Sequence, residues 1–138
     1  MNMQRTLTAA GACHCGAVRF ECTLDTTQAT SRCNCSICAK TRYWKAFVGA
    51  GAFRLLQGED ALAEYRFGSG RIAHRFCSRC GVKLFGHGAK GDFAEAFYAI
   101  NVAALEDVPD DVLGALPVVF QDGWHDDWQQ APAQTSFM

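Results

Sequence analysis

The sequence predicts a mainly β domain built from antiparallel hairpins, and three observations lead to this prediction. No segment of the 138 residues keeps the 3.6-residue apolar period of a long helix, whereas several short segments alternate apolar and polar residues. Glycines interrupt these segments at intervals typical of turns. Two close pairs of cysteines are each followed at once by a glycine, which is the pattern of a tight loop at a hairpin tip.

The first half of the chain contains four predicted strands. Residues 1–10 are expected to form a loose leader. Apolar side chains at every second position of residues 17–22 predict the first strand, and a polar turn is expected at residues 25–31. Aromatic and β-branched residues then predict strands at 43–48, 53–58 and 62–67, separated by glycines and a short acidic turn.

The second half of the chain begins with a predicted hairpin, whose two arms are residues 72–76 and 82–85. A pair of cysteines lies between the arms, so this hairpin is expected to carry a metal-binding loop at its tip. A further strand is predicted at residues 95–103. The acidic, turn-rich residues 105–116 are expected to contain one short helix, and a last short strand is predicted at residues 117–120.

Length and composition limit the classes of protein to which the chain can belong. A chain of 138 residues is the size of one ordinary domain, predicted here over residues 10–130. No stretch approaches the ~18 consecutive apolar residues of a membrane-spanning helix. The first eleven residues contain no apolar run, so a secretory signal is not expected. We therefore expect a cytoplasmic location. No run of Lys and Arg exists, which argues against nucleic acid as a partner. The sequence does not indicate an oligomeric state.

The net charge of −1 conceals a strong asymmetry along the chain. All 13 Lys and Arg lie at or before Lys90, with five of the 14 Asp and Glu. Residues 91–138 carry the other nine acidic residues and no Lys or Arg. One interpretation is that the two parts pack together and neutralise each other. The alternative is a basic face that attracts an anionic ligand.

The chain carries eight cysteines, which is a high number for its length. In a reducing compartment disulfides are rare, and clustered cysteines usually bind metal. The pairs Cys13/Cys15 and Cys33/Cys35 have one residue between them, a spacing that is unfavourable for a disulfide but suitable around a metal ion. Metal ligation is therefore the predicted role, and a disulfide framework is the alternative.

Two of the cysteine groups together supply four thiolates. Cys13 and Cys15 form one glycine-ended loop, and Cys77 and Cys80 form another. Two such loops at the tips of separate hairpins could meet in a closed four-cysteine site, which is the structural pattern for zinc. Cys22 lies on the apolar face of the first predicted strand, so we expect it in the core rather than on a metal.

The stretch CNCSICAK at residues 33–40 contains three cysteines with no fourth nearby. Three protein ligands and one exchangeable position are typical of a catalytic zinc site, here on Cys33, Cys35 and Cys38. Such a site could hold a substrate thiol as a thiolate, ready to attack a small aldehyde. The alternative is a structural site whose fourth ligand is a carboxylate or one of the histidines His14, His74, His87 and His125.

Three basic residues follow this cysteine group closely. Lys40, Arg42 and Lys45 are candidates to bind the carboxylates of a small thiol and to favour its thiolate form. A solvated basic edge with no ligand is the alternative interpretation.

Four motifs in order along the chain resemble one protein family. They are G-x-C-x-C-G-x-V-x-F from Gly11 to Phe20, CNCSICAK, F-C-S-R-C-G-V from Phe76 to Val82, and the pair Asn101-Val102. This arrangement resembles the glutathione-dependent formaldehyde-activating family, also called the centromere-protein-V/GFA domain. The resemblance runs from about residue 10 to about residue 125.

The resemblance implies a fold, two metal ions and an activity. The implied fold is the β-tent, a zinc-binding arrangement of antiparallel hairpins. Two zinc ions per chain are implied, one on Cys13, Cys15, Cys77 and Cys80 and the other on Cys33, Cys35 and Cys38. The implied activity joins glutathione and formaldehyde into S-(hydroxymethyl)glutathione, a carbon–sulfur lyase type of reaction.

Three hypotheses for the function follow from these observations. The first is a zinc enzyme acting on the adduct of a small thiol and an aldehyde. The second is a non-catalytic binding module stabilised by zinc. The third is an iron or redox site, which cysteine ligands also allow.

Overall fold

The computed structural model describes residues 5–138 and contains ten strands, two short α-helices and four single 3-10 turns. The strands are β1 Thr6–Ala12, β2 Arg19–Asp25, β3 Thr30–Cys33, β4 Trp44–Gly49, β5 Phe53–Gln57, β6 Leu62–Tyr65, β7 Ile72–Cys77, β8 Lys83–Gly88, β9 Phe97–Asn101 and β10 Val118–Gln121. The helices are α1 Ser36–Thr41 and α2 Asp110–Ala115, and the 3-10 turns are Ala50–Ala52, Glu59–Ala61, Val102–Ala104 and Gly123–His125.

The strands form two sheets, which confirms the predicted mainly β fold. The smaller sheet has the order β1-β2-β5, and the larger has the order β10-β3-β4-β9-β8-β7-β6. Every pairing is antiparallel, as predicted, except that β10 lies parallel to β3. A parallel pair requires a long connection. Here most of the chain lies between the two strands, so no local sequence pattern indicates that they pair.

The predicted leader is wrong from Thr6 onward, because Thr6–Ala12 forms β1. All seven residues pair with β2, from Thr6 opposite Asp25 to Ala12 opposite Arg19. The segment is rich in Thr, Ala and Gly and lacks large apolar side chains, so its apolar pattern is too weak to reveal a strand. Residues 1–4, the rest of the predicted leader, lie outside the described residues.

Among the other elements, one turn is shorter than predicted, one helix was not predicted, and one predicted helix is present. The polar turn at 25–31 is shorter than predicted, because β3 begins at Thr30. The helix α1 was not predicted, since its six residues are too few to show a helical period. The helix predicted within 105–116 is present as α2 over Asp110–Ala115.

The main core lies between the two sheets. Fully buried side chains from both sheets meet there, among them Phe20, Leu84 and Ile100, together with Val18 from the loop before β2. The predicted burial of Cys22 is confirmed, since it is 1% exposed and packs in this core.

A second, smaller cluster comprises Cys33, Cys38, Tyr43 and Ala99. Successive residues of a strand face opposite sides of a sheet. Since Ile100 points into the main core, Ala99 and the cluster around it lie on the other face of the larger sheet.

No helix within residues 5–138 combines the length and apolar character needed to cross a membrane.

Gly58 determines how closely the chain after β5 can approach the loop before β2. Its φ is +91°, and a Cβ built there would lie 2.7 Å from Val18 Cα and closer still to the carbonyl oxygen of Ala17. Backbone atoms cannot yield as a flexible side chain can. The Gly58→Ala variant should therefore lower the free energy of unfolding by more than about 1 kcal/mol, as strained left-handed positions do.

Urea unfolding of the variant measures this change, with Gly51→Ala as the matched control. Gly51 also follows a strand, has no atom within 4 Å of a built Cβ and shows no positive φ. Equal stability of the two variants would contradict the role assigned to Gly58.

Candidate metal centres

The first cysteine cluster joins the two sheets. Cys13 and Cys15 lie in the turn between β1 and β2, Cys77 is the last residue of β7, and Cys80 lies in the turn before β8. The four Sγ atoms lie within 4.8 Å of one another. Both turns close on a glycine with a φ of +80°, at Gly16 and Gly81, which is the conformational role predicted for these glycines.

The spacing of these sulfurs fits zinc better than it fits disulfides. Cys15 Sγ lies 3.7 Å from both Cys13 Sγ and Cys77 Sγ. A disulfide requires about 2.05 Å. Four sulfurs at about 2.3 Å from a tetrahedral zinc would lie about 3.8 Å apart. Backbone N–H groups also point at the sulfurs, with Val18 N 3.3 Å from Cys13 Sγ and Arg79 N 3.4 Å from Cys77 Sγ. The structure thus brings the four predicted ligands together in suitable geometry, and metal binding by them stays a prediction.

The second cluster forms where β3 passes into α1. Cys33 ends β3, Cys35 is the N-cap of α1 and Cys38 lies in its first turn, with all three Sγ atoms within 4.8 Å of one another. The backbone N–H of Cys35 donates to Cys33 Sγ at 3.3 Å. A hydrogen bond with Cys38 lowers the pKa of the Cys35 thiol to about 5, and the same bond together with burial raises the pKa of Cys38. The cluster thus favours ionisation of one thiol, and the thiolate is the form in which cysteine binds metal.

No fourth His, Asp or Glu ligand atom joins this cluster within the described range 5–138. Three of the histidines have other partners. His125 pairs with Asp122 at 2.9 Å, His87 Nδ1 lies 3.0 Å from the Phe97 carbonyl oxygen, and His74 Nδ1 lies 2.6 Å from Lys83 Nζ. A site with three protein sulfurs is the arrangement that leaves one position for an exchangeable ligand.

A loop from the C-terminal part of the chain covers the second cluster. The side-chain amide of Asn34 donates to Asp122 at 3.0 Å, and its carbonyl oxygen accepts from Trp124 N at 3.0 Å. These bonds hold Gly123 against the sulfurs, where a built Cβ would lie 2.7 Å from Cys33 Sγ. Sequence reasoning missed Gly123, because nothing within its own segment indicates that it meets residues 33–35.

Two lysines face the second cluster from inside the protein. Lys45 is 8% exposed, and its charge acts to lower the pKa of both Cys33 and Cys38. Lys83 is half-buried, and its Nζ lies 4.2 Å from the centre of the Tyr43 ring, which packs against Cys33 and Cys38. Burial lowers the pKa of Lys83 to about 8, and the nearby Cys38 and Cys35 act in the opposite direction. Lys83 was not predicted, because the β7–β8 hairpin brings it to the cluster from a distant part of the chain.

The structure separates the three predicted substrate-binding residues. Arg42 is exposed just after α1 and lines a shallow cleft together with Arg32, Cys33 and Cys38. Lys40 is exposed on α1 and lines a different groove, next to the aromatic side chains of Tyr65 and Phe67. Lys45 is buried on β4, as described above. Substrate binding by these residues stays a prediction, but they do not form one patch.

Comparison with known proteins finds a family model, a curated relative and a solved structure that are similar to this chain. The family model described as "Glutathione-dependent formaldehyde-activating enzyme" matches residues 8–119. A relative from Halomonas elongata, named "Putative glutathione-dependent formaldehyde-activating enzyme", is 32% identical over 89 residues, which cover 54% of this chain and 53% of the relative. The chain thus spans about half the length of that curated relative. A crystal structure of a Rhodobacter sphaeroides protein matches with a TM-score of 0.67 and 33% identity, over 80% of this chain and 99% of that one.

Loss of a cysteine from the first cluster should affect folding, whereas loss of one from the second should mainly affect metal binding. Cys77→Ser breaks a site that joins segments 62 residues apart, and a structural zinc can supply on the order of 10 kcal/mol of folding free energy. Cys35→Ser breaks a site confined to residues 33–38, so it should cost mainly the second metal. We expect the native protein to contain two zinc ions per chain and each variant about one.

Thermal melts and elemental analysis measure both effects, with Cys22→Ala as a control from outside both clusters that should retain two zinc ions. One zinc per chain in the native protein, or mostly iron, would contradict the two-site assignment. Unfolding by Cys35→Ser but not by Cys77→Ser would reverse the two roles.

Substitution of Gly123 should disturb the second cluster without touching a ligand. The methyl group of Gly123→Ala would overlap Cys33 Sγ and the Trp128 ring, so the loop or the sulfur must move. We expect the second metal to be released at chelator concentrations about tenfold lower than in the native protein, with the first metal unaffected. Gly114→Ala, where a built Cβ meets nothing within 4 Å, is the matched control. Identical release curves for both variants would show that the loop does not constrain the cluster.

Proposed function

The chain belongs to the glutathione-dependent formaldehyde-activating enzyme family, and from this membership we propose that it is a zinc enzyme joining a small thiol to an aldehyde. Glutathione and formaldehyde are the proposed substrates, and S-(hydroxymethyl)glutathione is the proposed product. One observation of the structure carries the proposal. The cluster of Cys33, Cys35 and Cys38 has no fourth protein ligand within residues 5–138, and two lysines face it.

The proposed site combines a position for sulfur with positive charge around it. Zinc on Cys33, Cys35 and Cys38 would supply a fourth position in which a thiol is held deprotonated near neutral pH. Lys45 and Lys83 favour negative charge at that position from inside the protein. Asn34 and Gly123 hold the covering loop in place and so limit the directions from which a substrate can approach.

The proposed reaction forms one carbon–sulfur bond. The thiolate sulfur attacks the carbonyl carbon of formaldehyde, the π electrons of the carbonyl move to its oxygen, and that oxygen takes a proton from solvent. The reverse direction breaks the carbon–sulfur bond, which is the lyase reaction. Nothing is oxidised or reduced, so no further co-reactant is needed.

Positioning must supply most of any acceleration. At pH 7 a free thiol of pKa ~8.5 is only a few per cent ionised, so full ionisation gains about tenfold to thirtyfold. A metal-held thiolate is also a weaker nucleophile than a free one. Holding both reactants in one site can contribute far more. Arg42 beside the sulfurs and Lys40 on α1 are the proposed anchors for the carboxylates of glutathione.

The four-cysteine cluster has a different proposed role. Its four cysteines would fill all four positions of a tetrahedral zinc, so the site would offer no position to a substrate. We propose that zinc there is structural and holds the β1–β2 turn against the β7–β8 turn.

The rate of adduct formation from glutathione and formaldehyde tests the proposed activity. We expect native zinc-loaded protein to exceed the uncatalysed rate at neutral pH, and Cys35→Ser to fall to the uncatalysed rate while staying folded. Exchange spectroscopy by NMR can follow both directions at equilibrium. Cys22→Ala serves as the control, since it removes a cysteine outside both clusters.

A native rate equal to the background with glutathione and with other small thiols would contradict the enzymatic function. The alternative function, a non-catalytic binding module stabilised by zinc, would then be favoured.

A further inference from the structure

Two lysines, the buried Lys45 and the half-buried Lys83, lack a carboxylate partner. Among residues 5–138, neither Lys45 nor Lys83 forms an ion pair with an Asp or Glu. A buried charge is costly unless an opposite charge or hydrogen bonds compensate for it. The neighbouring groups that can become negative are the thiols of the three-cysteine cluster, so the cluster is the natural counter-charge of both lysines.

Contacts hold Lys83 in one place. Its Nζ lies 2.6 Å from His74 Nδ1 and 4.2 Å from the Tyr43 ring centre. The side chain of Asn101 donates to the Lys83 carbonyl oxygen at 2.9 Å, which ties the backbone at this point to β9. Tyr43 is itself fixed, because its hydroxyl donates to the Ala99 carbonyl oxygen and accepts from Gly86 N. The ammonium group is therefore pre-positioned beside the cluster.

His74 accepts a hydrogen bond from the Lys83 ammonium group. An ammonium group only donates hydrogen bonds, so Nδ1 of His74 must accept and carry no proton. Burial, together with the charges of Lys83 and Lys45, lowers the pKa of His74 to about 4, in keeping with a neutral ring. Stacking on Phe67, with ring centres 5.4 Å apart, fixes the orientation of the imidazole. His74 is thus an acceptor that orients Lys83 rather than a fourth metal ligand.

On the inner side of the site, the formal charges match the number of lysines, while Arg32 and Arg42 lie in the cleft at the surface. A divalent ion with three thiolates carries −1, and the addition of a substrate thiolate makes it −2. Lys45 and Lys83 together contribute +2. A neutral ligand would leave the site at −1 and one lysine charge without compensation.

We infer that Lys83, oriented by His74 and Tyr43, acts with Lys45 to make the three-cysteine site selective for anionic sulfur ligands over neutral ligands. Lys83 is a positioning residue in this inference, since it acts on the charge of the bound ligand and not on the reacting carbon. The inference rests on the proposed assignment of Cys33, Cys35 and Cys38 as an open metal site.

Ligand binding to the cobalt-loaded full-length protein tests the inference without turnover. Cobalt(II) replaces zinc and reports added ligands through its visible spectrum, while the four-cysteine site has no open position and adds only a constant background. The probes are 2-mercaptoethanol, which binds as a thiolate, and imidazole, which binds as a neutral ligand. The measured quantity is the ratio of the two dissociation constants.

The Lys83→Met variant keeps the length of the side chain and removes its charge. We expect its preference for 2-mercaptoethanol over imidazole to fall about tenfold or more, because Coulomb energies are large in a site shielded from water. A general loss of structure would weaken both ligands equally and leave the ratio unchanged. Lys90→Met, which removes an exposed lysine, is the matched control and should retain the native ratio.

The variant His74→Leu adds an independent measurement. It leaves the charge of Lys83 but removes its acceptor, so the ratio should fall by less than in Lys83→Met. A native ratio in Lys83→Met, or no thiol binding by the native protein, would overturn the inference. A lowered ratio in Lys83→Met would support it even if the native protein does not accelerate adduct formation, so the two proposals can fail separately.

Discussion

The fold depends on bringing together four sulfur atoms from two distant turns. Cys15 Sγ and Cys77 Sγ lie 3.7 Å apart although 62 residues separate them in the chain, and they belong to different sheets. If all four were ionised, thiolates this close would repel one another, and a bound cation would stabilise the arrangement. Once the two turns are joined, the smaller sheet lies against the larger one, and Val18 and Phe20 are buried between them. The hydrophobic core and the sulfur cluster therefore specify the same arrangement of sheets.

The second cluster is organised on a different principle. Its three cysteines come from one short stretch at the junction of β3 and α1, so it contributes little to the joining of distant segments. More distant parts of the chain supply the residues that surround it. Asn34 and Gly123 bring a loop across one side, and Lys45 and Lys83 place positive charge on another. If a metal bound there has an open coordination position, these four residues would influence which ligand occupies it.

The sequence predicts what depends on local spacing and misses what depends on distant pairing. The division of seven cysteines into a four and a three follows from their spacing and glycine-ended turns, and the structure groups the sulfurs in the same way. The strand β1 was missed because Thr, Ala and Gly give no apolar alternation, and its pairing with β2 is what makes it a strand. The parallel contact of β10 with β3, which carries Gly123 to the cysteines, has no local signal at all. Lys83 lies among residues predicted as strand, but only the pairing of β7 with β8 places it beside Tyr43 and the sulfurs.

The three basic residues after the second cluster lie in different environments, which matters for substrate selection. Lys40, Arg42 and Lys45 lie close together in the sequence, yet the left-handed backbone of Arg42, with a φ of +56°, ends α1 and sends the chain into β4. The strand then buries Lys45 while Lys40 and Arg42 remain on the surface in separate clefts. Any thiol bound at the second cluster would lie near the charges of Lys45 and Lys83. Only a thiol that also carries carboxylates would gain from Lys40 or Arg42. In the proposed function, Lys45 and Lys83 would act on the ionisation state of the sulfur, and Lys40 and Arg42 would act on which thiol is bound.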